Sequence, residues 1–341
     1  MSAVSGTRVN LALDANGGDH GIDVTLPAAL EALSQEPELN ITLVGVVDDI
    51  EDRVDFASHP RLKWVAAESV LAADAGPLAA IRKGAGSGTG RAIQMVADKA
   101  ADACVSAGNT AALVALGVKR LGVLPGLRRP ALMSDIPCEG GMTSVLDLGA
   151  NLDVDARQLM QFAIMGVEAR TLQGGPPPRV GLLNVGHEEG KGHAVVQEAH
   201  GLLRELPLNY VGFIEGHDIY AGKADVAVCD GFAGNLLLKS SEGLARMLFN
   251  ELKEVFRHDF RSRCAGLLAK PALRSMLEQL DPGKHNGAAL LGLGGVVVKS
   301  HGSADATATV HAIREAMREA QRQVPDRIKE AIQRYGAGES T

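Results

Sequence analysis

Six short segments of this chain carry residue types suited to holding an anion. They are Asp14-Ala15-Asn16-Gly17-Gly18-Asp19, Ser106-Ala107-Gly108-Asn109-Thr110, Asp147-Leu148-Gly149-Ala150-Asn151, the run NVGHEEGKG from Asn184 to Gly192, Cys229-Asp230-Gly231-Phe232-Ala233-Gly234-Asn235, and Lys299-Ser300-His301-Gly302-Ser303. Glycine lets backbone N–H groups approach a ligand closely, while Asn, Asp and Ser bond back to their own loop. Any one segment also fits an ordinary turn or helix cap. Together they suit one crevice lined by backbone N–H groups and helix N-termini, a setting for phosphate or another anion.

The elements that must position these segments are readable from the pattern of apolar runs. Strands are expected at Val9 to Asp14, Ile41 to Val47, Ala103 to Ser106, Ala131 to Ile136 and Thr143 to Leu148. Further strands are expected at Val180 to Asn184, Tyr210 to Ile214 and Val226 to Cys229. Helical spacing runs through Asp23 to Leu33, and Ser303 to Arg322 reads as a long amphipathic helix. The alternation predicts an α/β fold, an open and mostly parallel sheet with helices on both faces. In such sheets ligands bind beyond the carboxyl ends of the strands, where the six segments fall. The chain reads as a single domain over 1–341. The break Gly174-Gly175-Pro176-Pro177-Pro178 marks either a boundary between halves or a tight connection within one sheet. The tail from Gly336 to Thr341 is expected to fray.

Composition narrows the function. Aromatic residues are only 3%, so Val, Leu, Ile and Ala must fill the core. A net charge of −7 argues against a nucleic-acid partner, which needs basic surface. Cys104, Cys138, Cys229 and Cys264 are far apart, so no zinc site is expected and they read as reduced, mostly buried thiols of a cytosolic protein. Met1 to Asn10 has no signal-peptide pattern, and no run is long enough for a transmembrane helix. The best apolar run, Gly287 to Val298, is broken by glycines. The glycines from Gly84 to Gly90 superficially resemble a dinucleotide loop, but Leu78 to Lys83 before them is helical in pattern, so a flexible or helix-capping loop is expected. There is no P-loop and no nucleophile elbow, so covalent Ser or Cys catalysis has no support. No cofactor and no metal are expected.

Taken together, LALDANGGD, VSAGNTAAL, VLDLGAN, LLNVGHEEGKG, VCDGFAGN and HNGAALLGLGGVVVKSHG resemble the phosphate acyltransferase family of bacterial phospholipid synthesis, the PlsX type. The resemblance runs from the first strand to the final helix. Two departures stand out: His187 where Glu is expected, and His285 where Tyr usually precedes Asn-Gly-Ala. The resemblance implies transfer of a long acyl chain from acyl-carrier protein to inorganic phosphate. A membrane acyltransferase would then pass the acyl phosphate's acyl group to glycerol 3-phosphate. It also implies a fold similar to phosphotransacetylases and isocitrate dehydrogenase-like enzymes, and a cytoplasmic homodimer peripherally bound to the membrane.

Such a reaction asks for orientation and anion stabilisation more than for a strong base, because a phosphate group is already largely dianionic near neutral pH. Lys191, between two glycines in a strand-to-helix loop, is the first candidate, as a point charge against phosphate or the developing oxyanion. Asn235 is the second; its amide can donate to the oxyanion or merely cap the helix that follows. Phosphate or substrate contacts are expected from Ser106, Gly108, Asn109, Thr110, Asn151, Asp230, Gly234 and His301. Asp14 and Asp230 can equally fix their loops, and His301 can be a satisfied loop histidine.

Residues 244–280 form an amphipathic, locally basic stretch within an acidic protein. Leu244, Met247, Leu248, Leu252, Val255 and Phe256 recur at helical spacing, read as core or dimer packing in the N-terminal part. Pro271 is expected to divide two helices. By resemblance, the segment around Ala265 to Leu277, with Leu267, Leu268, Leu273, Met276 and Leu277, is a membrane or partner contact suited to anionic headgroups or an acidic carrier. Two other functions stay open: a short-chain phosphotransacetylase using coenzyme A, and a non-catalytic acyl-carrier or lipid-binding module. A dehydrogenase ranks third, since neither a convincing nucleotide loop nor an acidic metal cluster is present.

Overall fold

A computed structural model describes residues 7–48, 50–72, 74–280 and 286–336, the side chains of 272–280 excepted. In chain order the first elements are β1 (Val9–Asp14), α1 (Ile22–Gln35), β2 (Leu39–Gly45), α2 (Ile50–Arg53), β3 (Leu62–Ala66), α3 (Pro77–Lys83), α4 (Gly88–Ala97), β4 (Ala103–Ser106) and α5 (Thr110–Leu121). Next come β5 (Ala131–Cys138), β6 (Gly141–Leu146), α6 (Ala156–Thr171), β7 (Val180–Leu183), α7 (Ala194–Arg204), β8 (Tyr210–Ile214), α8 (Gly216–Tyr220) and β9 (Val226–Val228). The chain closes with α9 (Gly231–Arg257), α10 (Phe260–Leu280), β10 (Ala288–Leu291), β11 (Val296–Lys299), α11 (Ala306–Gln321) and α12 (Val324–Arg334).

All the strands join one sheet in the order β3-β2-β1-β4-β11-β10-β5-β6-β9-β7-β8. Neighbours are parallel except β11–β10, β10–β5 and β5–β6. The expected α/β architecture therefore holds, with an antiparallel seam at its centre. The seam comes from two hairpins. Gly140 (φ 82°) turns β5 into β6, and Gly292 (φ 90°) lies between β10 and β11. The glycine-broken run Gly287 to Val298 is thus two buried strands, not a single element. Its glycines supply the turn and relieve crowding: a Cβ on Gly295 would stand 2.7 Å from Val96.

Alternate residues of each strand feed different layers, as period-two geometry requires. Leu11, Leu13, Val105 and Val298 face α1 and α11. Ala12, Cys104, Val297 and Leu290 face the layer that includes α4 and α5. In the second half, Leu146, Leu182 and Val228 pack against α6 and α12. Seen across the seam, β6, β9, β7 and β8 run opposite to β1, β2 and β4. Six neighbour steps separate β1 from β9. A twist of roughly 20° per step accumulates to about a third of a turn, which swings the carboxyl ends of the two halves toward one cleft.

The Gly-Pro break joins α6 to β7 within this continuous sheet. The crossing between halves is made instead by the β5–β6 hairpin, with a return after α10. Pro271 does not divide two helices: it lies inside α10. The division falls at Asp259, whose carboxylate accepts from Ser262 N (2.7 Å) and starts α10. Cap chemistry there outweighs the loss of one helical hydrogen bond at a proline. Nor is the N-terminal part of the amphipathic stretch core: Leu244, Met247, Leu248 and Val255 are exposed.

Candidate functional site

Two buried aspartates organise the two sides of the cleft. Asp14, at the end of β1, accepts from Thr89 Oγ1 (2.6 Å), Ser106 Oγ (2.7 Å) and the backbone N of Asn16 (3.3 Å). Burial pushes its carboxyl up, opposed by these donors. Ser106 Oγ in turn accepts from Gly108 N (3.1 Å), so its hydroxyl shapes the loop ahead of α5. Gly17 is required here, because a Cβ would stand 2.8 Å from Ala107 N. Asp19 N donates to Gly302 O (2.8 Å), which ties the loops after β1, β4 and β11 into one wall.

The glycine-rich segment from Gly84 is the expected helix-capping loop. Ser87 caps α4, accepting from Gly90 N, and the next turn carries Thr89 onto Asp14. Asn109 caps α5, its Oδ1 accepting from Ala112 N (3.0 Å). The first N–H groups of α5, those of Thr110 and Ala111, lie ahead of the helical ladder and face an end with partial positive charge.

On the opposite side Asp147 follows β6. Its oxygens accept from the N–H groups of Leu132, Gly149, Ala150 and Asn151 and from Asn151 Nδ2 (2.9 Å). Its carboxyl is likewise pushed up by burial. Asn151 is buried and also donates to Pro130 O (2.8 Å), so both amide hydrogens are spent inside the fold. Asp230 caps α9, accepting from Ala233 N (2.7 Å). Gly234 lets α9 press onto the β6 loop: a Cβ there would stand 1.9 Å from Asp147 O.

Asn235 lies one turn into α9, exposed, beside Gly149. The capping task that it shared as an alternative belongs to Asp230. Its amide has no hydrogen-bond partner among the described residues. Lys191 sits in the loop after β7, the neighbour of β9. That loop is closed by Asn184 Nδ2, which donates to Gly186 O (3.1 Å) and Lys191 O (3.0 Å). Gly190 and Gly192 take positive φ, and the Lys191 ammonium rests on Glu188 (2.7 Å), both half-exposed. His187, the departure from the family pattern, points to the neighbouring edge: Nδ1 lies 3.0 Å from Phe213 O and Nε2 3.1 Å from Asp218. It anchors the Lys191 loop to the turn ahead of α8.

The sheet thus brings Lys191 and Asn235 to adjacent strand ends, and Ser106, Gly108, Asn109, Thr110 and His301 to the other wall. The bridge between walls is Lys239, one turn beyond Asn235 on α9. Its ammonium lies 3.3 Å from His301 Nε2 and 2.9 Å from Glu242. Motif reading passed over Lys239, and it held Lys299, Thr89 and Asn286 within its segments without giving them a role. Asn286 donates to Ser300 Oγ (2.8 Å) and accepts from His301 N (2.8 Å), bracing the loop after β11. Helical i, i+4 spacing from Asn235 was the available signal for Lys239. Leu267 and Leu268 are exposed on α10, while the side chains of Leu273, Met276 and Leu277 and the whole of His285 lie outside the described residues.

A family model described as "Fatty acid synthesis protein" matches residues 9–327. A phosphate acyltransferase from Alkalilimnicola ehrlichii is 47% identical over 337 residues, 98% of each chain. Another from Legionella pneumophila (strain Paris) is 43% identical over 333 residues, 96% of this chain and 97% of that one. The chain belongs to the phosphate acyltransferase family. Its fold is also that of solved phosphotransacylases. A branched-chain phosphotransacylase from Enterococcus faecalis V583 superimposes with a TM-score of 0.59 at 16% identity, covering 92% of this chain and 99% of that one. A phosphotransacetylase from Streptococcus pyogenes gives 0.59 at 16%, covering 92% and 94%. The anion-suited loops described above follow the ends of β1, β4 and β11 on one side and of β6, β7 and β9 on the other, and the Lys239–His301 contact joins the two sides.

Proposed function

We propose that the protein transfers a long-chain fatty acyl group from acyl-carrier protein to inorganic phosphate. Full-length similarity to phosphate acyltransferases supports the reaction class, and the exposed Asn235 amide, without a hydrogen-bond partner among the described residues and following the strand next to the one that carries the Lys191 loop, is the observation that carries the site. A phosphate oxygen attacks the thioester carbon and forms the C–O bond. The tetrahedral oxyanion then collapses, the C–S bond breaks, and the phosphate proton ends on the carrier thiol. The products are acyl phosphate and free carrier. Lys191 and Asn235 stabilise the developing oxyanion, and the N-terminus of α5 orients the nucleophile.

The product has one apolar tail and a charged head, and α9 with α10 offers a matching surface. Phe260 is 80% exposed and Leu268 85% exposed, among basic side chains such as Arg261, Arg263 and Lys270. No helix among the described residues is long and apolar enough to cross a membrane. We read this pair as a peripheral membrane and dimer contact, from which acyl phosphate passes to a membrane glycerol-3-phosphate acyltransferase.

The test is formation of acyl phosphate from palmitoyl-carrier protein and phosphate, trapped with hydroxylamine and matched by release of carrier thiol. Phosphate-dependent product is expected. Turnover with acyl-coenzyme A alone would replace the donor, and acyl-carrier binding without turnover would replace the enzyme by a binding module.

A further inference from the structure

Lys299 ends β11, in the middle of the sheet, between the N-terminal wall of the cleft and α9. Its ammonium donates to Ala107 O (3.3 Å) and to Ser300 O. An ammonium has three donors, so one remains. No carboxylate lies within ion-pair distance of it among the described residues. It is crowded by protein yet only partly buried. Its contact Ala107 directly precedes Gly108 and Asn109, the cap of α5. Lys239 stands opposite on α9, and His301 lies between the strand end and Lys239. The end of β11 with the loop after it, and α9, thus bring three nitrogen groups together near the loop that leads into α5.

Burial first, and the nearby Lys239 second, push the Lys299 ammonium down to about 8, with Asp19 opposing. Burial and Lys239 likewise push His301 down. A bound anion would reverse both pressures. Keeping two mutually repelling cations close together, Lys299 at the end of β11 and Lys239 on α9, is costly without such a ligand, since Glu242 pairs with only one of them.

We infer that Lys299, Lys239 and His301, with the first N–H groups of α5, form a phosphate-oxyanion subsite separate from Lys191. The assignment deepens the proposed acyl transfer and rests on that reading. Lys299 and Lys239 hold the oxyanion as point charges, His301 Nε2 offers a further contact, and Lys191 is left to the carbonyl oxyanion. The ligand chemistry is a phosphate group. It belongs either to the free phosphate nucleophile or to a phosphodiester on the donor's prosthetic arm.

The experiment titrates inorganic phosphate into the full-length protein by calorimetry, without acyl donor, and then measures KM for phosphate and for acyl-carrier protein. Lys299→Met and Lys239→Met each should weaken phosphate binding by about ten- to a hundred-fold, the loss of one charge-assisted contact. Lys191→Ala should leave that binding in place. Affinity in the wild type should fall as the pH rises through about 8, where Lys299 loses its proton, and this step should vanish in Lys299→Met. The groups facing Lys299 in that titration are Lys239, His301, Asp19 and Glu242. Unchanged phosphate binding with a raised donor KM would assign the subsite to the donor's phosphodiester. Unchanged binding and unchanged KM for both substrates would overturn the subsite. Because Lys239 is exposed, its variant keeps the test open if Lys299→Met misfolds. Phosphate bound through Lys299, with no turnover of any acyl thioester, would keep the subsite and reject the acyl-transfer reading.

Discussion

Asp14 and Asp147 hold matching posts in the two halves of the sheet: each stands at the carboxyl end of a strand, is buried, and accepts the hydrogen bonds that shape its loop. Neither is free to meet a substrate, because donors within the fold occupy its oxygens. Asp230 is also committed, to the start of α9. Asn235 differs because that cap is already supplied, leaving its amide for a ligand. Lys191 differs because its partner, Glu188, is exposed and exchangeable with solvent. Lys191→Ala and Asn235→Ala are each expected to lower acyl phosphate formation by about a hundred-fold, the usual scale for losing one oxyanion donor. Thermal melting should barely move, since neither side chain is buried. Wild-type turnover in a folded Asn235→Ala protein would remove that residue from the chemistry.

At the scale of elements, α9 decides whether Asn235 and Lys239 reach the cleft. Its first turn lies against the β6 loop through Gly231 and Gly234, where a Cβ would meet Asn151 O at 2.5 Å and Asp147 O at 1.9 Å. Gly234→Ala must therefore lift the helix. Both stability and turnover should fall, the former by about 1–3 kcal/mol in denaturant titration, as for overpacked sites. An unchanged melt and rate would show that the helix does not press there. Helix α11 carries a different load. Glu319 is buried at a small cavity lined by Leu290, Val297, Val324 and Ile328, and burial, reinforced by Glu315, pushes its carboxyl up to about 8. The folded state thus holds this proton more tightly than the unfolded chain. Its stabilising effect is complete below the usual Glu range and is lost as pH rises toward 8. Glu319→Gln should flatten the decline in stability between about pH 5 and 8, by on the order of a few kcal/mol. Parallel urea midpoints for both proteins across that range would read it, and identical pH slopes would refute it.

For the whole molecule, the antiparallel seam is what makes a single cleft. Without it, the two parallel sets would form one sheet whose carboxyl ends all point one way. With it, the halves run oppositely and twist brings their ends together, spanned by the Lys239–His301 contact. The same chain excursion that crosses back to the first half, α9 followed by α10, leaves an apolar face uncovered. Leu267→Glu with Leu268→Glu should abolish sedimentation with anionic vesicles while leaving the melting temperature unchanged, because both side chains are exposed. Vesicle binding that survives both changes would place membrane contact elsewhere.

The central parallel strands, the long helix α11 and the glycine-rich strand ends were legible in the sequence, because they depend on local periodicity and on turn chemistry that short segments carry. Residue types also marked Lys191 and Asn235. The β10–β11 hairpin was hidden, because buried strands lose the alternation that identifies them and its glycines read as breaks. The division of α9 from α10 was assigned to Pro271 because a proline is a stronger local sign than the cap at Asp259. Only the tertiary structure decided which polar residues are committed. Asn151 and Ser106 look like ligands in a motif, yet they bond to Pro130 and Asp14, which are distant in sequence, while Asp230 is spent locally on the cap of α9. Lys299 looks like the end of a strand, yet packing sets it beside Lys239 and the α5 cap. A side chain's availability depends on which partners the fold brings within hydrogen-bond reach, and local sequence does not contain those partners.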